Sequence, residues 1–227
     1  EKNILHARRV SNNLAAAHKL AYEAGRAISP DFQIGISHAV AHRAAHQDRI
    51  WNRWAVQLIN YVSEDRFLAQ MSPYADFLGI QYYKYEPIAL RLGGKHLGLI
   101  DIEDEVGWKS DLGWPVYPEG IYHAVKRFEK YGKPLFITEN GIADAADIHR
   151  GKFIREHVRW MEKAMAEGAD VRGYFHWSLL DNFEFPELRG FWPRFGLVEV
   201  DYGTLKRTIR QSAHVYREII QGTHRHE

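Results

Sequence analysis

The chain alternates helical segments with short apolar strands, and this alternation limits its fold more than any other feature. Apolar residues recur at helical spacing in the helical segments, whereas the strands are short, continuous apolar runs. Alternation of this kind predicts βα units and a parallel sheet. Strands are predicted at 32–40, 76–83, 134–138, 171–180 and 196–200.

Helices are predicted between these strands. Three of them cover 11–24, 47–61 and 152–167. Another begins at Pro118 and ends at Gly132, and the last has Ile209, Ala213, Tyr216 and Ile220 on one face. Gly25 is expected to cap the first helix, because glycine readily adopts the left-handed conformation of a helix end. An apolar stripe is predicted on the second helix, formed by Ile50, Trp54, Leu58 and Tyr61.

Four major strands leave two architectures open. One is an open four-stranded parallel sheet. The other is half of an α/β TIM barrel, (β/α)8, in which the chain supplies roughly the last four βα units. A complete barrel takes about 250 residues, and the range 84–117, which shows no clear periodicity, is predicted to be a long functional loop. Four units then use all 227 residues, and because no linker divides the chain, residues 1–227 are predicted to be one domain.

Composition excludes several classes of function. Lys and Arg number 30 against 29 for Asp and Glu, so the net charge of +1 argues against nucleic acid or an anionic membrane as a partner. The chain has 0 Cys, which excludes disulfides, a thiol nucleophile and cysteine-based metal sites. No apolar run approaches the roughly 20 residues of a membrane span. Aromatic residues are frequent, with 7 Trp, 12 Tyr and 11 Phe, and such rings can grip the apolar faces of sugars or fill a core.

Polar and aromatic side chains cluster where the predicted strands end. Glu139 directly follows the apolar run LFIT, and Trp177 and Glu184 belong to the end of the next strand. In a (β/α)8 barrel the carboxyl ends of the strands face the active site. A carboxylate there is well placed for chemistry, although the same residue could instead cap the following turn.

Five ordered segments resemble glycoside hydrolase family 1. LFITENG (135–141) is similar to the segment that carries the family's nucleophile, and GIQYYKYEP (79–87) to the strand that carries an active-site tyrosine. The other three are DLGWPVYPEGI (111–121), VRGYFHWSLLDNFEF (171–185) and RFGLVEVDYGTLKRT (194–208). They stand in the family's order and cover roughly residues 11–220. The resemblance implies the C-terminal half of a barrel and a β-glucosidase-like or β-galactosidase-like enzyme, with no cofactor and no metal.

The resemblance also implies roles for single residues. Glu139 matches the catalytic nucleophile, and Tyr83 matches the tyrosine whose hydroxyl binds and orients it. Glu184 matches the carboxylate that takes two hydroxyls of the sugar, and Trp177 matches the aromatic floor beneath that sugar.

Two further aromatic residues match the walls of the site. Trp114 resembles a wall of the leaving-group subsite, and Phe195 resembles a ring that lines the sugar pocket. Core packing is the alternative role for each of these rings. Arg189 and Arg194 form no clear basic cluster for a phosphate, so unphosphorylated β-glucosides and β-galactosides are the expected substrates.

The sequence departs from the family pattern in its pocket. Phe185 stands where members usually have Trp, which removes an N–H donor and predicts relaxed specificity. Gln81 replaces the usual Asn before the paired tyrosines and is one methylene longer. The segment ISHAVAH (36–42) lacks the expected Asn-rich pattern.

The motif TxNEP, which carries the family's acid/base glutamate, is absent. Residues 1–31 resemble the helix that follows the fourth barrel strand, so the first four βα units are expected on a second polypeptide. Retaining hydrolysis needs two carboxyl groups about 5–5.5 Å apart, and the chain is therefore expected to act only when complemented by that N-terminal half.

Two other interpretations stay open. The chain could be a non-catalytic sugar-binding or structural fragment of such a barrel, or it could belong to another family of barrel glycosidases. A cytoplasmic location is expected because EKNILHARRVSNN contains no signal-peptide core. The true N-terminus is expected to lie further upstream, which leaves a signal peptide open.

Overall fold

A parallel sheet organises the chain in the computed structural model, which describes residues 4–91, 98–101, 107–184 and 190–222. In chain order the strands are β1 (Gly35–Ala45), β2 (Phe77–Arg91), β3 (Gly98–Asp101), β4 (Leu135–Asn140), β5 (Val171–His176), β6 (Val198–Val200) and β7 (Arg207–Ile209). The four parallel strands lie in the order β1, β2, β4, β5. β3 pairs antiparallel with β2, and β6 and β7 form a separate antiparallel pair.

Helices connect the parallel strands and cover the sheet. In chain order they are α1 (Ile4–Ile28), α2 (Ile50–Asn60), α3 (Arg66–Met71), α4 (Glu119–Phe128), α5 (Arg150–Ala166) and α6 (Gln211–Ile220). A π-helical turn, Tyr61–Asp65, joins α2 to α3. No helix among the described residues is long and apolar enough to cross a membrane.

The core lies between the sheet and its helices. Alternate residues of β2 and β4, including Leu78, Ile80 and Ile137, point toward α4 and α5 and are completely buried. Ile121 of α4 and Ile154 of α5 meet them. Because alternate strand residues fill this core, the intervening residues face the opposite side of the sheet. Reactive side chains at the strand ends can be exposed on that side.

The predicted long loop at 84–117 is wrong in its first part. β2 continues to Arg91, because β1 extends to Ala45 and pairs with β2 as far as Ile88, and β3 pairs with the remaining residues of β2. The pairing runs from Gly35 opposite Phe77 to Ala45 opposite Ile88, with a register shift after Val40. β3 then pairs back onto β2, while 92–97 and 102–106 lie outside the described residues.

Gly25 does not end the first helix, contrary to prediction. α1 continues to Ile28, and the Ser29 N–H still donates to the Gly25 carbonyl at 3.0 Å. A Cβ at Gly25 would lie 2.5 Å from Cδ1 of Ile34. The glycine is therefore explained by close packing rather than by capping, whereas Gly132, with φ of 62°, ends its helix as predicted.

The apolar stripe predicted on the second helix is exposed to solvent. The exposed fractions of its members lie between 56% and 69% for Ile50, Trp54, Leu58 and Tyr61. α2 instead buries Asn52, whose amide donates to the His46 carbonyl at 2.7 Å and accepts from the Leu90 N–H at 2.8 Å. These hydrogen bonds fix the rotation of α2 and turn the stripe outward.

Two boundaries near the C-terminus also differ from prediction. β5 ends at His176, so residues 177–180 are a loop. Ile209 belongs to β7 and not to the last helix, which begins at Gln211. Pro118 precedes α4 as predicted, and α5 agrees with the predicted 152–167 to within two residues.

Candidate active site

Glu139 lies at the carboxyl end of β4 and is held by two donors from β2. The Gln81 amide donates to Oε1 at 2.8 Å, and the Tyr83 hydroxyl donates to Oε2 at 2.8 Å. The register places Gln81 directly opposite Glu139. Leu135 and Ile137 anchor β4 in the core, so the carboxylate is positioned by the sheet itself.

Opposing influences set the protonation of Glu139. Burial raises its pKa, the hydrogen bond from Tyr83 lowers it, and the negative charge of Glu184 raises it again, with a net increase above the usual value. The pKa of Tyr83 is itself raised by burial and by the charge of Glu139, so its hydroxyl stays protonated as a donor. In the described part of the chain no cation forms an ion pair with Glu139.

Asn140, beside Glu139, connects three strands. Its side chain is fully buried; the amide donates to the Tyr82 carbonyl at 2.7 Å, and the amide oxygen accepts from the Tyr174 hydroxyl at 2.8 Å. Its backbone carbonyl accepts from the Trp177 N–H at 2.9 Å. Asn140 thus fixes the carboxyl ends of β2, β4 and β5 relative to one another.

Gly141 allows the end of β5 to approach β4 closely. A Cβ at this position would lie 1.9 Å from the Trp177 carbonyl oxygen. A side chain there would therefore push Trp177 away from the strand that carries Glu139. In the TENG motif, Gly141 is thus needed for steric reasons and Glu139 for chemical ones.

Glu184 is held by two donors on one of its oxygens. The Trp177 indole donates to Oε1 at 3.1 Å, and the Asn182 amide donates to the same atom at 2.8 Å. The Asn182 amide oxygen in turn accepts from the Ser178 hydroxyl at 3.1 Å. This arrangement orients the carboxylate through its Oε1 atom.

A buried ion pair fixes the loop that carries Glu184. Asp181 is 4% exposed and accepts from both terminal nitrogens of Arg210, at 2.9 and 3.1 Å. It also accepts from the Gly196 N–H at 2.9 Å and from Arg194 at 3.3 Å. Burial alone would raise the pKa of Asp181, but the hydrogen bonds from Arg210 and Gly196 outweigh it and lower the pKa.

Three rings pack beside the nucleophile candidate. The rings of Tyr83, Trp114 and Phe195 lie 6.2–6.4 Å apart, centroid to centroid, in edge-on and tilted arrangements. Phe195 is 2% exposed, so its main contribution is to support the other two rings. The Lys84 ammonium lies 4.4 Å from the centre of the Trp114 ring.

The structure brings together most of the side chains singled out from the sequence. Gln81, Tyr83 and Glu139 form one hydrogen-bonded group with two aromatic neighbours, and Trp177 and Glu184 form a second. The charge of Glu184 acts on Glu139 and Tyr83 and so links the two groups. Phe185 and Arg189 lie outside the described residues.

Sequence reasoning assigned no role to three residues that position this site: Asn140, Asp181 and Asn182. Each is a small polar residue inside a quoted motif, in TENG or in DNFEF. Their positions next to Glu139 and Glu184 were the available signal. The partners of Asn140 and Asp181 lie on distant segments, so only the folded chain reveals what these two residues hold, whereas Asn182 bonds its neighbours Ser178 and Glu184.

The arrangement can bind a polar ring and attack it. An oriented carboxylate that keeps lone pairs free can act as a nucleophile or a base, and a second oriented carboxylate can accept hydrogen bonds from hydroxyl groups. The half-buried rings of Trp114 and Trp177 beside them offer apolar faces. This chemistry suits a sugar.

Known proteins resemble this chain in sequence. The family model described as glycosyl hydrolase family 1 matches residues 53–225. A β-galactosidase of Sulfolobus acidocaldarius is 36% identical over 91% of this chain and 46% of its own length. The galactolipid galactosyltransferase SFR2 of Arabidopsis thaliana is 31% identical over 92% of this chain and 33% of its own length. The chain thus spans about half or less of the length of these relatives.

Solved structures agree in fold. The hyperthermophilic β-glucosidase of Pyrococcus furiosus is 34% identical, with a TM-score of 0.86 over 96% of this chain and 48% of that one. Such relatives are TIM barrels, and the four parallel βα units here correspond to half of a TIM barrel, which favours this architecture over an open sheet. The family match covers most of the chain and includes both carboxylates of the site, and the chain belongs to glycosyl hydrolase family 1.

Proposed function

We propose that the chain is the C-terminal half of a retaining β-glycosidase and supplies its nucleophile, Glu139. The observation that carries this proposal is the carboxylate at the end of β4, with one donor on each oxygen. The two donors orient the carboxylate, and the hydrogen bond from Tyr83 lowers its pKa. Hydrogen bonds to the ionised form favour the state that attacks.

In the first step an oxygen of Glu139 attacks the anomeric carbon of a β-glycoside. The bond from that carbon to the leaving oxygen breaks, and a second carboxyl group gives its proton to that oxygen. A glycosyl ester of Glu139 results. In the second step the same group, now ionised, takes a proton from water, whose oxygen attacks the anomeric carbon and releases Glu139.

The second carboxyl group is proposed to come from a partner polypeptide that carries the N-terminal half of the barrel. The chain itself, residues 1–227, acts in this proposal as a single structural domain. A positioned general acid contributes about 10²–10⁴-fold to the rate. Substrates with poor leaving groups therefore need the partner, whereas activated substrates can still form the ester slowly.

The remaining side chains are proposed to bind the sugar and the leaving group. Glu184 accepts hydrogen bonds from sugar hydroxyls, and Trp177 provides an apolar face while orienting Glu184. Gln81 holds the nucleophile. Trp114 forms part of the leaving-group wall, which Phe195 supports from behind.

The role proposed for Phe185 rests on the sequence. It would offer the sugar an apolar face without an N–H donor. The expected substrates are β-glucosides, β-galactosides and small oligosaccharides.

A trapping experiment tests the nucleophile separately from the acid. The chain, alone and mixed with an N-terminal half, is incubated with a 2-deoxy-2-fluoroglucoside that has a good leaving group. Such a leaving group departs without an acid, so intact-mass analysis should find one fluoro-sugar per chain, mapped to Glu139. No adduct in either sample would contradict the proposal and favour a non-catalytic sugar-binding or structural fragment.

Replacing Tyr83 with phenylalanine should lower kcat/KM of the assembled enzyme by roughly 10–150-fold. This is the range expected when a hydrogen bond to a charged group, about 1.5–3 kcal/mol, is lost from the transition state. Because the hydroxyl lowers the pKa of Glu139, its loss should also move the acid limb of the kcat/KM profile to higher pH.

Tyr122→Phe is the matched control for Tyr83→Phe. Its hydroxyl also donates to a glutamate, Glu167, at 2.7 Å, but on the exposed helical side of the sheet. The control should keep the wild-type pH profile. An unshifted acid limb in Tyr83→Phe would show that this hydroxyl does not control the ionisation of the nucleophile.

A further inference from the structure

Tyr83 is an extra residue in the pairing of β2 with β1. Val40 lies opposite Tyr82, and the next residue of β1 lies opposite Lys84, so the register steps over Tyr83. An extra residue of this kind is a β-bulge, which bends its strand and redirects a side chain. The Tyr83 hydroxyl donates to Glu139. Whatever holds the bulge in place therefore also sets this contact.

Tyr117, in the segment that leads into α4, contacts the residues on either side of the bulge. Its backbone carbonyl accepts the hydroxyl of the buried Tyr82 at 2.7 Å. Its ring packs against that of Tyr85, with 4.7 Å between the centroids. Tyr82 precedes Tyr83, and Tyr85 follows it by two residues. Contacts with Tyr117 thus hold β2 immediately before and after Tyr83.

Two stacked imidazoles, His42 of β1 and His123 of α4, support these tyrosines. The centroids of this imidazole pair lie 4.4 Å apart, and the ring planes are inclined by 11°. The His42 ring is also nearly parallel to that of Tyr117, with 5.5 Å between centroids, and its centroid lies 5.8 Å from that of Tyr85. His42 is therefore the central ring of a cluster that joins β1, β2 and α4.

The charges around the imidazole pair make its double protonation unfavourable. Burial lowers the pKa of His42 to about 4, and the positive charges of His123 and Arg127 act in the same direction. Burial also lowers the pKa of His123, whereas the charge of Glu119 raises it and that of Lys163 lowers it. Glu119 lies 3.8 Å from Nε2 of His123. The pair is therefore neutral at pH 7, and acid converts it into two stacked cations.

Neighbouring carboxylates are engaged elsewhere and cannot fully compensate two protonated rings. Arg43 and Arg127 line a cavity of about 30 Å³ beside the pair, and both donate to Glu64, which is 2% exposed. Glu119 accepts a hydrogen bond from the Tyr117 hydroxyl at 3.0 Å. The phenols that touch the pair stay neutral in acid, and they belong to Tyr85, Tyr117 and Tyr122.

We propose that the stacked rings of His42 and His123 position Tyr83 at neutral pH, and that protonation of both rings separates them and releases the bulge. The step adds one proton to each imidazole and breaks no covalent bond. Two like charges at this distance repel each other, and separated rings regain water, so acid favours the open form. The inference rests on the proposed function, since it gives Tyr83, the donor to the proposed nucleophile, a positioning device that responds to pH.

Hydrogen exchange of the β2 segment 82–86 tests the device in wild type and in His42→Phe. Phenylalanine keeps a flat ring in the stack but cannot be protonated. The pKa of His42 is lowered from 6.5 to about 4, so its contribution to the closed form is complete above pH 6.5 and is lost as the pH falls toward 4. The ratio of wild-type to variant exchange rates should therefore rise about 10–20-fold between pH 7 and pH 5. Comparing the two chains at the same pH cancels the pH dependence of exchange itself.

His38→Phe is the matched control for His42→Phe. His38 lies on the same face of β1, and burial lowers its pKa as well, but its ring packs against Phe67 at 5.4 Å. His38→Phe should keep the wild-type acid response of segment 82–86. A ratio for His42→Phe that changes less than twofold between the two pH values would overturn the inference, as would an equal loss of the acid response in His38→Phe.

Activity of the assembled enzyme tests the positioning role. His42→Ala removes the central ring and should lower kcat/KM at pH 7 roughly tenfold, because a small displacement of a catalytic contact is costly. His42→Phe should restore at least half of the wild-type value, and circular dichroism verifies that both variants fold. A loss that phenylalanine does not rescue, or the absence of any loss in His42→Ala, would overturn the positioning of Tyr83 by this pair.

Exchange and trapping separate this inference from the proposed function. Exchange needs no turnover, so an acid response of segment 82–86 that depends on His42, without fluoro-sugar trapping, would support the device and contradict the enzyme. Trapping on Glu139 in a chain whose 82–86 amides respond to acid equally with and without His42 would support the enzyme and overturn the device.

Discussion

Glu139→Gln should abolish trapping by the fluoro-sugar and reduce hydrolysis by the assembled enzyme roughly 10⁴-fold or more. Glutamine keeps the size of the side chain but has no anionic oxygen with which to form the glycosyl ester. Losses of this order are typical when a covalent nucleophile is removed and binding groups remain. The measurement is kcat for an activated aryl β-glucoside, together with intact mass after trapping.

A smaller variant distinguishes the nucleophile from a residue that only shapes the pocket. Glu139→Gly leaves room for azide, which can attack the anomeric carbon from the side that the carboxylate occupied. Activity should return with azide, and the product should be an α-glycosyl azide. Glu199→Gln, at an exposed glutamate of β6, should behave like wild type. Full trapping by Glu139→Gln would show that another residue is the nucleophile.

Asp181→Asn should lower the free energy of unfolding by about 3–5 kcal/mol. This is the usual cost of removing one partner from a buried ion pair, because the other charge is left without compensation. That charge is Arg210, which is 7% exposed and donates a hydrogen bond to each carboxylate oxygen of Asp181. Urea titration followed by fluorescence measures the change, and the order of the loop that carries Glu184 should fall with it.

The stability that Asp181 contributes should depend on pH in a defined direction. Its pKa is lowered in the folded chain, so its contribution is complete above the unfolded-state pKa of about 3.9. The contribution is lost as the pH falls from there through the lower folded-state pKa. The difference between wild type and Asp181→Asn should therefore shrink in acid.

An exposed ion pair provides the control for Asp181. Asp170 pairs with Arg172 at 2.8 Å on the surface, and Asp170→Asn should leave the urea midpoint close to that of wild type. Equal effects of the two variants would show that burial of the Asp181 pair is not what stabilises this loop.

The helical and strand periodicities predicted the sheet because they reflect burial directly. Ile137 and Val171 are buried strand residues, and Ile121 and Ile154 are buried helical ones, as their spacing indicates. The position of Glu139 at a strand end followed in the same way, since a polar residue terminates an apolar run. Family resemblance then supplied roles that periodicity could not assign.

The rotation of α2 could not be predicted from its pattern. The apolar stripe of Ile50, Trp54 and Leu58 is stronger than any signal from Asn52, yet Asn52 is the residue that is buried. The partly buried Leu90 amide in β2 needs an acceptor, and Asn52 provides it. Such a requirement appears only when the two elements are placed together.

The sequence alone determined the βα alternation and the carboxylate that follows β4. These depend on local spacing and composition, which can be read directly from the sequence. Tertiary structure decided how far β2 extends, which face α2 buries, and which donors hold Glu139 and Glu184. The physical reason is that backbone pairing and polar satisfaction depend on partners that meet only in the folded chain. Gln81 and Glu139 are 58 residues apart, and the spacing of one segment contains no information about the other.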